Sequence, residues 1–206
     1  MKLKSRIGQY LQANLAVFIL IVFIFAAGII SGALGINSLS QQQQLDLLNY
    51  VDTVLQGSGD WQVDSLGLAK TAVWSNIKLM LLIWFLGLTV VGIPVVGVVV
   101  FLRGAVLGFT VGFLVQEKAF AGVLLTILSV LPQNLIFVPA LLLAAISSVA
   151  FSLQLLQGKF SRGLVLSQYL LGYTVLFGVV MGVVSLGGLV EAYISPAFIK
   201  LIAVYF

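Results

Sequence analysis

Two small groups of polar residues interrupt the apolar sequence and could carry chemistry. Glu117 and Lys118 are adjacent ionisable residues, and Gln133 and Asn134 form a carboxamide pair directly after Pro132. Ionisable groups inside a membrane can relay protons or bind ions, whereas carboxamides only bind, orient or cap. The first pair therefore predicts a structural break, snorkelling side chains or a coupling site. The second predicts a helix start, the wall of a polar cavity or a partner contact.

The composition removes most reaction mechanisms that a membrane enzyme uses. The chain contains no Cys and no His, so thiolate nucleophiles, imidazole bases and the usual zinc or haem ligands are missing. The signatures H-E-x-x-H and G-x-S-x-G are absent, and Glu117 is the only acidic residue between Asp64 and Glu191. We therefore predict a protein that is not an enzyme, with no catalytic residue, no metal and no cofactor.

The elements that must position these polar residues are membrane helices. Of the 206 residues, 61% are hydrophobic and only 8% are charged, a composition outside the range of soluble domains. A hydrocarbon core about 30 Å thick needs roughly 20 apolar residues of helix. We predict an all-α, polytopic integral membrane bundle that forms a single domain over residues 1–206. Four charge-free runs can hold its helices, and the third is too long for one crossing: residues 7–40, 79–102, 119–158 and 163–190.

The sequence between Arg103 and Pro132 admits two interpretations. Glu117 and Lys118 divide it into pieces about 20 Å long that cannot span alone. It is either one broken or kinked crossing or a re-entrant pair of half-helices, and the distribution of Lys and Arg favours one crossing. On this basis about five crossings are predicted, near residues 15–36, 76–102, 104–131, 134–157 and 164–190.

Several landmarks follow from these predicted boundaries. Gly92 and Pro94 would kink the second crossing, and Arg103 would mark the turn after it. Pro132 to Asn134 would form the outer junction between the third and fourth crossings, with Pro139 shaping the backbone beyond it.

The charged residues predict how the chain is oriented. A basic start followed by an acidic segment places the N-terminus in the cytoplasm and a helical segment, residues 37–75, outside; the glycine-rich membrane body is then 76–206. Within that segment Leu45, Leu48, Val51 and Leu55 predict an amphipathic helix. With five crossings the C-terminus is extracytoplasmic. The cytoplasmic anchors would be Lys2, Lys4, Arg6, Arg103, Lys159 and Arg162, with Lys70, Lys78 and Lys200 outside.

Glycines spaced by four residues predict close helix packing. Gly104, Gly108 and Gly112 form two overlapping G-x-x-x-G steps on one helix face, which lets another backbone approach. The same spacing recurs once at Gly28 and Gly32 and once at Gly178 and Gly182. The partner is either another helix of the same chain or a second copy in a homodimer.

Three segments resemble the stage II sporulation protein M family of spore-forming bacteria: "FLRGAVLGFTVGFLVQ", "SVLPQNLIFVPALLLAAISSVAFSL" and "EAYISPAFIK". The resemblance runs over nearly the whole chain and implies a multi-pass protein of the mother-cell membrane, at the sporulation septum, that acts in engulfment. It also implies a non-enzymatic scaffold. The implied partners are stage II sporulation proteins D and P, membrane-anchored enzymes that degrade peptidoglycan.

One segment departs from the pattern that the resemblance implies. Many members of the broader family resemble Pro-His-Gly-x-x-Glu-x-Pro-Ala where this chain has Pro132 to Ala140, but here Gln133 replaces the His, Asn134 the Gly and Phe137 the Glu. Titratable or metal-linked functions are therefore not carried over. The alternative function is a small channel or transporter with a wet cavity at the broken third crossing, formed by Glu117, Lys118, Gln133 and Asn134.

Overall fold

The chain folds into a bundle of long helices. The computed structural model describes residues 14–57, 65–157 and 163–203. A 3₁₀ turn, Ile36–Ser38, follows the first helix, and a π-helical segment, Thr126–Val130, joins the fourth to the fifth. The α-helices in the described ranges are α1 (Leu15–Gly35), α2 (Gln41–Gly57), α3 (Ser65–Gly87), α4 (Gly92–Leu125), α5 (Leu131–Leu156) and α6 (Gly163–Ala203).

Five stretches of these helices are long and apolar enough to cross a membrane. They are Leu15–Ser38, Ala69–Gly87, Gly92–Glu117, Gly122–Leu156 and Leu166–Tyr193. The described residues contain no strand. The predicted fold class, an all-α polytopic bundle with about five crossings, is confirmed, although the bounds of three crossings differ from those predicted.

The second crossing ends earlier than predicted, at Gly87. A tight turn over residues 88–91 follows, in which the Thr89 hydroxyl accepts a hydrogen bond from the Gly92 amide at 3.2 Å. Gly92 lies so close to the Leu86 carbonyl that a Cβ atom would not fit. Gly92 and Pro94 therefore start α4 and do not kink the second crossing, because proline suits the first turn of a helix. The sequence analysis placed the turn at the charged residue Arg103, whereas the turn at 88–91 contains no charged residue.

Arg103 is consequently not a turn residue. It lies 11 residues after Gly92, near the middle of the Gly92–Glu117 crossing, which is about 16 Å along the helix. Its predicted role as an anchor that ends a crossing is wrong.

The chain reverses at Ala119, directly after Glu117 and Lys118. Ala119 has φ 46° and ψ −121°, which interrupts α4, and Gly122 then packs against the backbone at Leu114. In a straight helix Gly122 and Leu114 would be about 12 Å apart along the axis. The ionisable pair therefore marks a reversal between two crossings, where the sequence predicted a break within one.

Pro132 to Asn134 lie inside the fourth crossing and not at its outer end. The crossing runs over Gly122–Leu156, and the π-helical segment directly precedes Leu131. Because proline has no amide donor, Pro132 cannot complete the regular hydrogen-bond ladder, and a local π segment is one way for a helix to absorb such a defect. The predicted junction is therefore a helix irregularity within the bundle.

Replacing Ala119 with glycine is expected to stabilise the protein by about 1 kcal/mol, because glycine adopts positive φ without steric cost. Thermal unfolding in detergent measures the change. The matched control is Ala26→Gly, at an exposed position within α1, which is expected to destabilise by a similar amount because glycine lowers helix propensity. A loss of stability in Ala119→Gly would contradict the assigned turn geometry.

The centre of the bundle is α5, which packs against α3 and α6. Its buried face is rich in alanine and serine, so neighbouring helices approach closely. Hydroxyl groups join these helices through backbone carbonyls: Ser148 donates to Ile83 at 3.0 Å, Ser152 to Thr89 at 2.7 Å and, from α6, Tyr173 to Trp84 at 2.9 Å. The turn at 88–91 and the end of α5 therefore lie at the same end of the bundle.

Helices α1 and α4 form a tightly packed parallel pair. Gly28 and Gly32 of α1 lie against the backbone at Phe101 and Ala105 of α4. Gly104 and Gly108 lie in turn against the α1 backbone at Phe25 and Ile29. Because both helices run in the same direction, the beginning of α2 and the reversal at Ala119 are at the same end of the bundle.

Candidate functional site

A cavity of about 380 Å³ lies within the bundle, between α1, α3, α4, α5 and α6. Apolar side chains such as Phe25 and Leu141 form part of its wall. The remaining wall is unusually polar for the interior of a membrane bundle. The polar lining residues are Asn76, Arg103, Thr110, Ser129, Gln133, Asn134 and Glu191.

The hairpin of α3 and α4 brings two of these residues to the same depth. Asn76 precedes Gly87 by 11 residues and Arg103 follows Gly92 by 11 residues, so each lies about 16 Å from the turn. The hairpin at Ala119 then returns the chain, which places Phe137 of α5 beside Arg103. The site thus depends on two helix reversals that were not predicted.

Arg103 and Glu191 provide opposite charges within the cavity. The guanidinium carbon of Arg103 lies 5.3 Å from the centroid of the Phe137 ring, a favourable distance for a cation–π interaction. The Glu191 carboxylate accepts a hydrogen bond from the Gln133 amide at 2.6 Å, and it attracts the Arg103 guanidinium. Both charged residues are half-buried, so each offsets part of the cost of placing the other in the membrane interior.

The two carboxamides predicted as a pair make different interactions. Gln133 holds the Glu191 side chain of α6, whereas Asn134 donates to the Val130 carbonyl of its own chain segment at 2.7 Å. Both line the cavity. Gln133 therefore orients a charge, and Asn134 satisfies the backbone near the π-helical segment.

Asn76 supplies a side-chain donor that has no partner among the described residues. Its side chain is only 5% exposed, and its amide nitrogen makes no hydrogen bond with any residue that the structure describes. A buried amide without a hydrogen bond is unfavourable by about 1–3 kcal/mol. Asn76 was not predicted as a site residue, because a single asparagine near the start of an apolar run is common.

Glu191 was also missed as a site residue. The fifth crossing was predicted to end near residue 190, but α6 continues to Ala203 and Glu191 lies within its apolar stretch, Leu166–Tyr193. A usable signal was present, since an acidic residue flanked by a long apolar helix normally has a partner inside the protein.

A comparison with protein-family models matches residues 21–196 to the family described as stage II sporulation protein M. The chain belongs to the stage II sporulation protein M family. The match covers every lining residue of the cavity and confirms the resemblance seen in the sequence. It makes the chain a sporulation-related, multi-pass membrane protein. No curated protein and no solved structure matches it significantly.

In this member of the stage II sporulation protein M family, the segment with the altered residues faces the cavity. Gln133 and Phe137 occupy the positions where the resemblance implies His and Glu, and both line the cavity. Gln133 holds Glu191 and Phe137 lies under Arg103. The substituted side chains thus support the two charges and do not titrate themselves.

The remaining residues predicted at the helix break have other positions in the fold. Glu117 is not among the lining residues, and Lys118 adjoins the reversal at Ala119. Pro139 lies within α5. Five of the predicted topology anchors fall outside the described residues: Lys2, Lys4, Arg6, Lys159 and Arg162.

The predicted glycine faces have separate surroundings. Gly28, Gly32, Gly104 and Gly108 pack at the contact of α1 with α4, and Gly112 lies near Ile36 at the same contact. By contrast, a Cβ atom added at Gly178 or Gly182 would meet no atom of the described chain within 4 Å. This face of α6 is therefore open in the described chain, and a homodimer stays a prediction.

Proposed function

We propose that this protein is a non-enzymatic membrane scaffold in sporulation engulfment. It recruits peptidoglycan-degrading enzymes, stage II sporulation proteins D and P, and localises them at the septal membrane of the mother cell. Two facts support the proposal: the family match over residues 21–196, and the presence of an exposed helix outside the membrane bundle.

The observation that carries the proposal is the polar composition of α2 together with its exposed apolar side chains. This helix has the composition of a soluble helix between two membrane crossings, with four consecutive glutamines at its start. Ser40 and Gln43 cap it reciprocally, with hydrogen bonds of 3.3 Å and 3.0 Å between each side chain and the other residue's amide. Leu45 and Tyr50 are nevertheless 54% and 69% exposed. Such exposed apolar side chains on a capped helix suit a protein contact.

The orientation is part of the proposal. The basic N-terminal residues favour a cytoplasmic N-terminus, which puts α2 and the reversal at Ala119 on the extracytoplasmic side, together with the end of α6. Cell-wall enzymes act on that side. The scaffold would therefore present α2 where its partners and their substrate meet.

Substituting both Leu45 and Tyr50 with serine is expected to abolish co-purification of stage II sporulation proteins D and P, because an interface loses most of its affinity when apolar anchors are removed. The measurement is affinity purification of the full-length protein from sporulating cells that lack their own copy, together with fluorescence microscopy of engulfment. Membrane levels of the protein are expected to remain normal, because both side chains lie outside the bundle.

The matched control changes two exposed polar residues of the same helix, Gln41→Ala with Asn49→Ala. It is expected to retain both partners. Undiminished recovery of the two hydrolases with the serine variant would reject α2 as the recruiting surface. Cleavage of peptidoglycan by the purified protein alone would reject the non-enzymatic role.

A second candidate function, passage of a small solute, is favoured by the cavity. The residues involved would be Arg103, Gln133 and Glu191, since Glu117 lies outside it. However, the interior between the cavity and the turn at 88–91 contains fully buried side chains, including Met80 and Ile83. Close packing at this depth favours the scaffold.

A further inference from the structure

The cavity carries both signs of charge and the Asn76 amide donor, which has no partner in the part of the chain that the structure describes. This is more polarity than a helix bundle needs for packing. Arg103 and Glu191 come from helices far apart in sequence, and each is held by a neighbour within the cavity wall, Phe137 or Gln133. A charge pair retained only for stability is often replaceable by apolar residues without loss. The arrangement therefore points to a ligand.

Asn76 indicates which kind of group the ligand brings. Asn76 is a lining residue of the cavity, and its buried amide nitrogen has no acceptor among the described residues. The group that satisfies it must accept hydrogen bonds, and Arg103 adds a positive charge to the same cavity. An oxyanion such as a phosphate suits both donors.

Glu191 indicates a second ligand group of opposite charge. One of its oxygens accepts the Gln133 amide, and an ionised carboxylate retains further acceptor sites. An anionic ligand alone would be repelled by Glu191, and a cation alone by Arg103. A ligand with a phosphate and an ammonium group complements both residues and leaves the site with no net charge.

The cavity has room for such a ligand and an opening toward lipid. Its volume of about 380 Å³ is roughly that of a dozen water molecules, far more than a single ion fills. Val106 is a lining residue yet is 62% exposed, so the cavity reaches the outer surface of the bundle.

We propose that this cavity binds the head group of a zwitterionic phospholipid with a primary amine, phosphatidylethanolamine. The phosphate contacts Arg103 and Asn76, and the ammonium group donates to Glu191. A primary ammonium fits better than the quaternary ammonium of phosphatidylcholine, because only the former has N–H donors for the carboxylate. The acyl chains leave the cavity beside Val106 and join the surrounding lipid.

Native mass spectrometry of the full-length protein in detergent tests this site. The protein is offered phosphatidylethanolamine, phosphatidylglycerol and phosphatidylcholine with identical acyl chains at equal concentration. The wild-type protein is expected to retain phosphatidylethanolamine preferentially. Glu191→Gln is expected to abolish the preference over phosphatidylglycerol, because the repulsion of an anionic lipid is removed. Glu117→Gln and Lys78→Gln remove charges outside the cavity and are expected to leave the preference unchanged.

Asn76→Leu separates ligand binding from folding. Removing an unsatisfied buried donor is expected to leave the thermal unfolding temperature of the lipid-free protein unchanged or higher. The same variant is expected to bind phosphatidylethanolamine about tenfold more weakly, as the loss of one hydrogen bond to a charged group predicts. Unchanged affinity in a folded Asn76→Leu variant would overturn the assignment of the phosphate position.

Equal retention of the three lipids by the wild-type protein would overturn the proposal, as would an unchanged preference in Glu191→Gln. Competition with soluble O-phosphoethanolamine tests whether the ligand is a membrane lipid or a free phosphate compound. O-phosphoethanolamine carries the same two charged groups without acyl chains and is expected to displace the lipid only at far higher concentration. Displacement at a concentration equal to that of the lipid would overturn the assignment to a membrane lipid.

Discussion

Substitution of Gly32 with leucine is expected to lower the free energy of unfolding by about 3 kcal/mol or more, at or above the upper end of typical overpacking effects. A Cβ atom at Gly32 would overlap the backbone of Ala105, including its carbonyl group. Backbone atoms cannot rotate away as a side chain can, so α1 must separate from α4 along their whole contact. Chemical unfolding of the purified protein in detergent measures the loss.

Gly35→Leu is the matched control for this substitution. Gly35 lies three residues further along α1, and an added Cβ atom would meet nothing within 4 Å in the described chain. The control is expected to unfold like the wild-type protein or slightly later, since leucine favours the helix more than glycine does. Similar destabilisation in the two variants would show that the substitution disturbs α1 itself and not its contact with α4.

Replacing Arg103 with methionine is expected to destabilise the protein by about 1–3 kcal/mol. Removing one partner of a fully buried charge pair costs about 3–5 kcal/mol, and the smaller value reflects that Arg103 and Glu191 are half-buried and partly screened. The Glu191 carboxylate would keep Gln133 but lose its opposite charge. Adding Glu191→Gln to this variant is expected to restore most of the stability, because the unpaired charge is then gone.

A double-mutant cycle with thermal unfolding measures this coupling. The control cycle combines Lys78→Met with Glu117→Gln, two charged residues that do not line the cavity. Their effects are expected to add within about 0.5 kcal/mol. Additive effects at Arg103 and Glu191 as well would show that the two charges do not interact across the cavity.

The sequence predicted the fold class and the number of crossings better than the positions at which the chain reverses. Long apolar runs identified an all-α bundle and about five crossings, because spanning a bilayer sets a minimum helix length. The reversals were misplaced because they lack the usual markers. Thr89 and Gly92 make a turn without a charged residue, and Ala119 adopts a positive φ that favours glycine.

The candidate site was predicted only in part, for the same reason. The wall of a polar cavity was one of the interpretations of Gln133 and Asn134, beside a helix start and a partner contact, and these residues were assigned to a junction between crossings. Arg103 was assigned to a turn, and the fifth crossing was predicted to end just before Glu191, because charges are usually placed at membrane faces. Asn76, Arg103 and Glu191 meet in one cavity only because of where the chain reverses, and the apolar runs and charges of the sequence did not indicate those positions.

The separation of Arg103 and Glu191 along the chain has a consequence for biosynthesis. Glu191 follows Arg103 by 88 residues, which takes roughly 4–18 s at a translation rate of about 5–20 residues per second. During that interval α4 contains a cation without its carboxylate, a state unfavourable by about 2.5–3.5 kcal/mol on insertion scales. Insertion of α6 supplies the missing charge, so this later crossing completes the site and stabilises the helices that precede it.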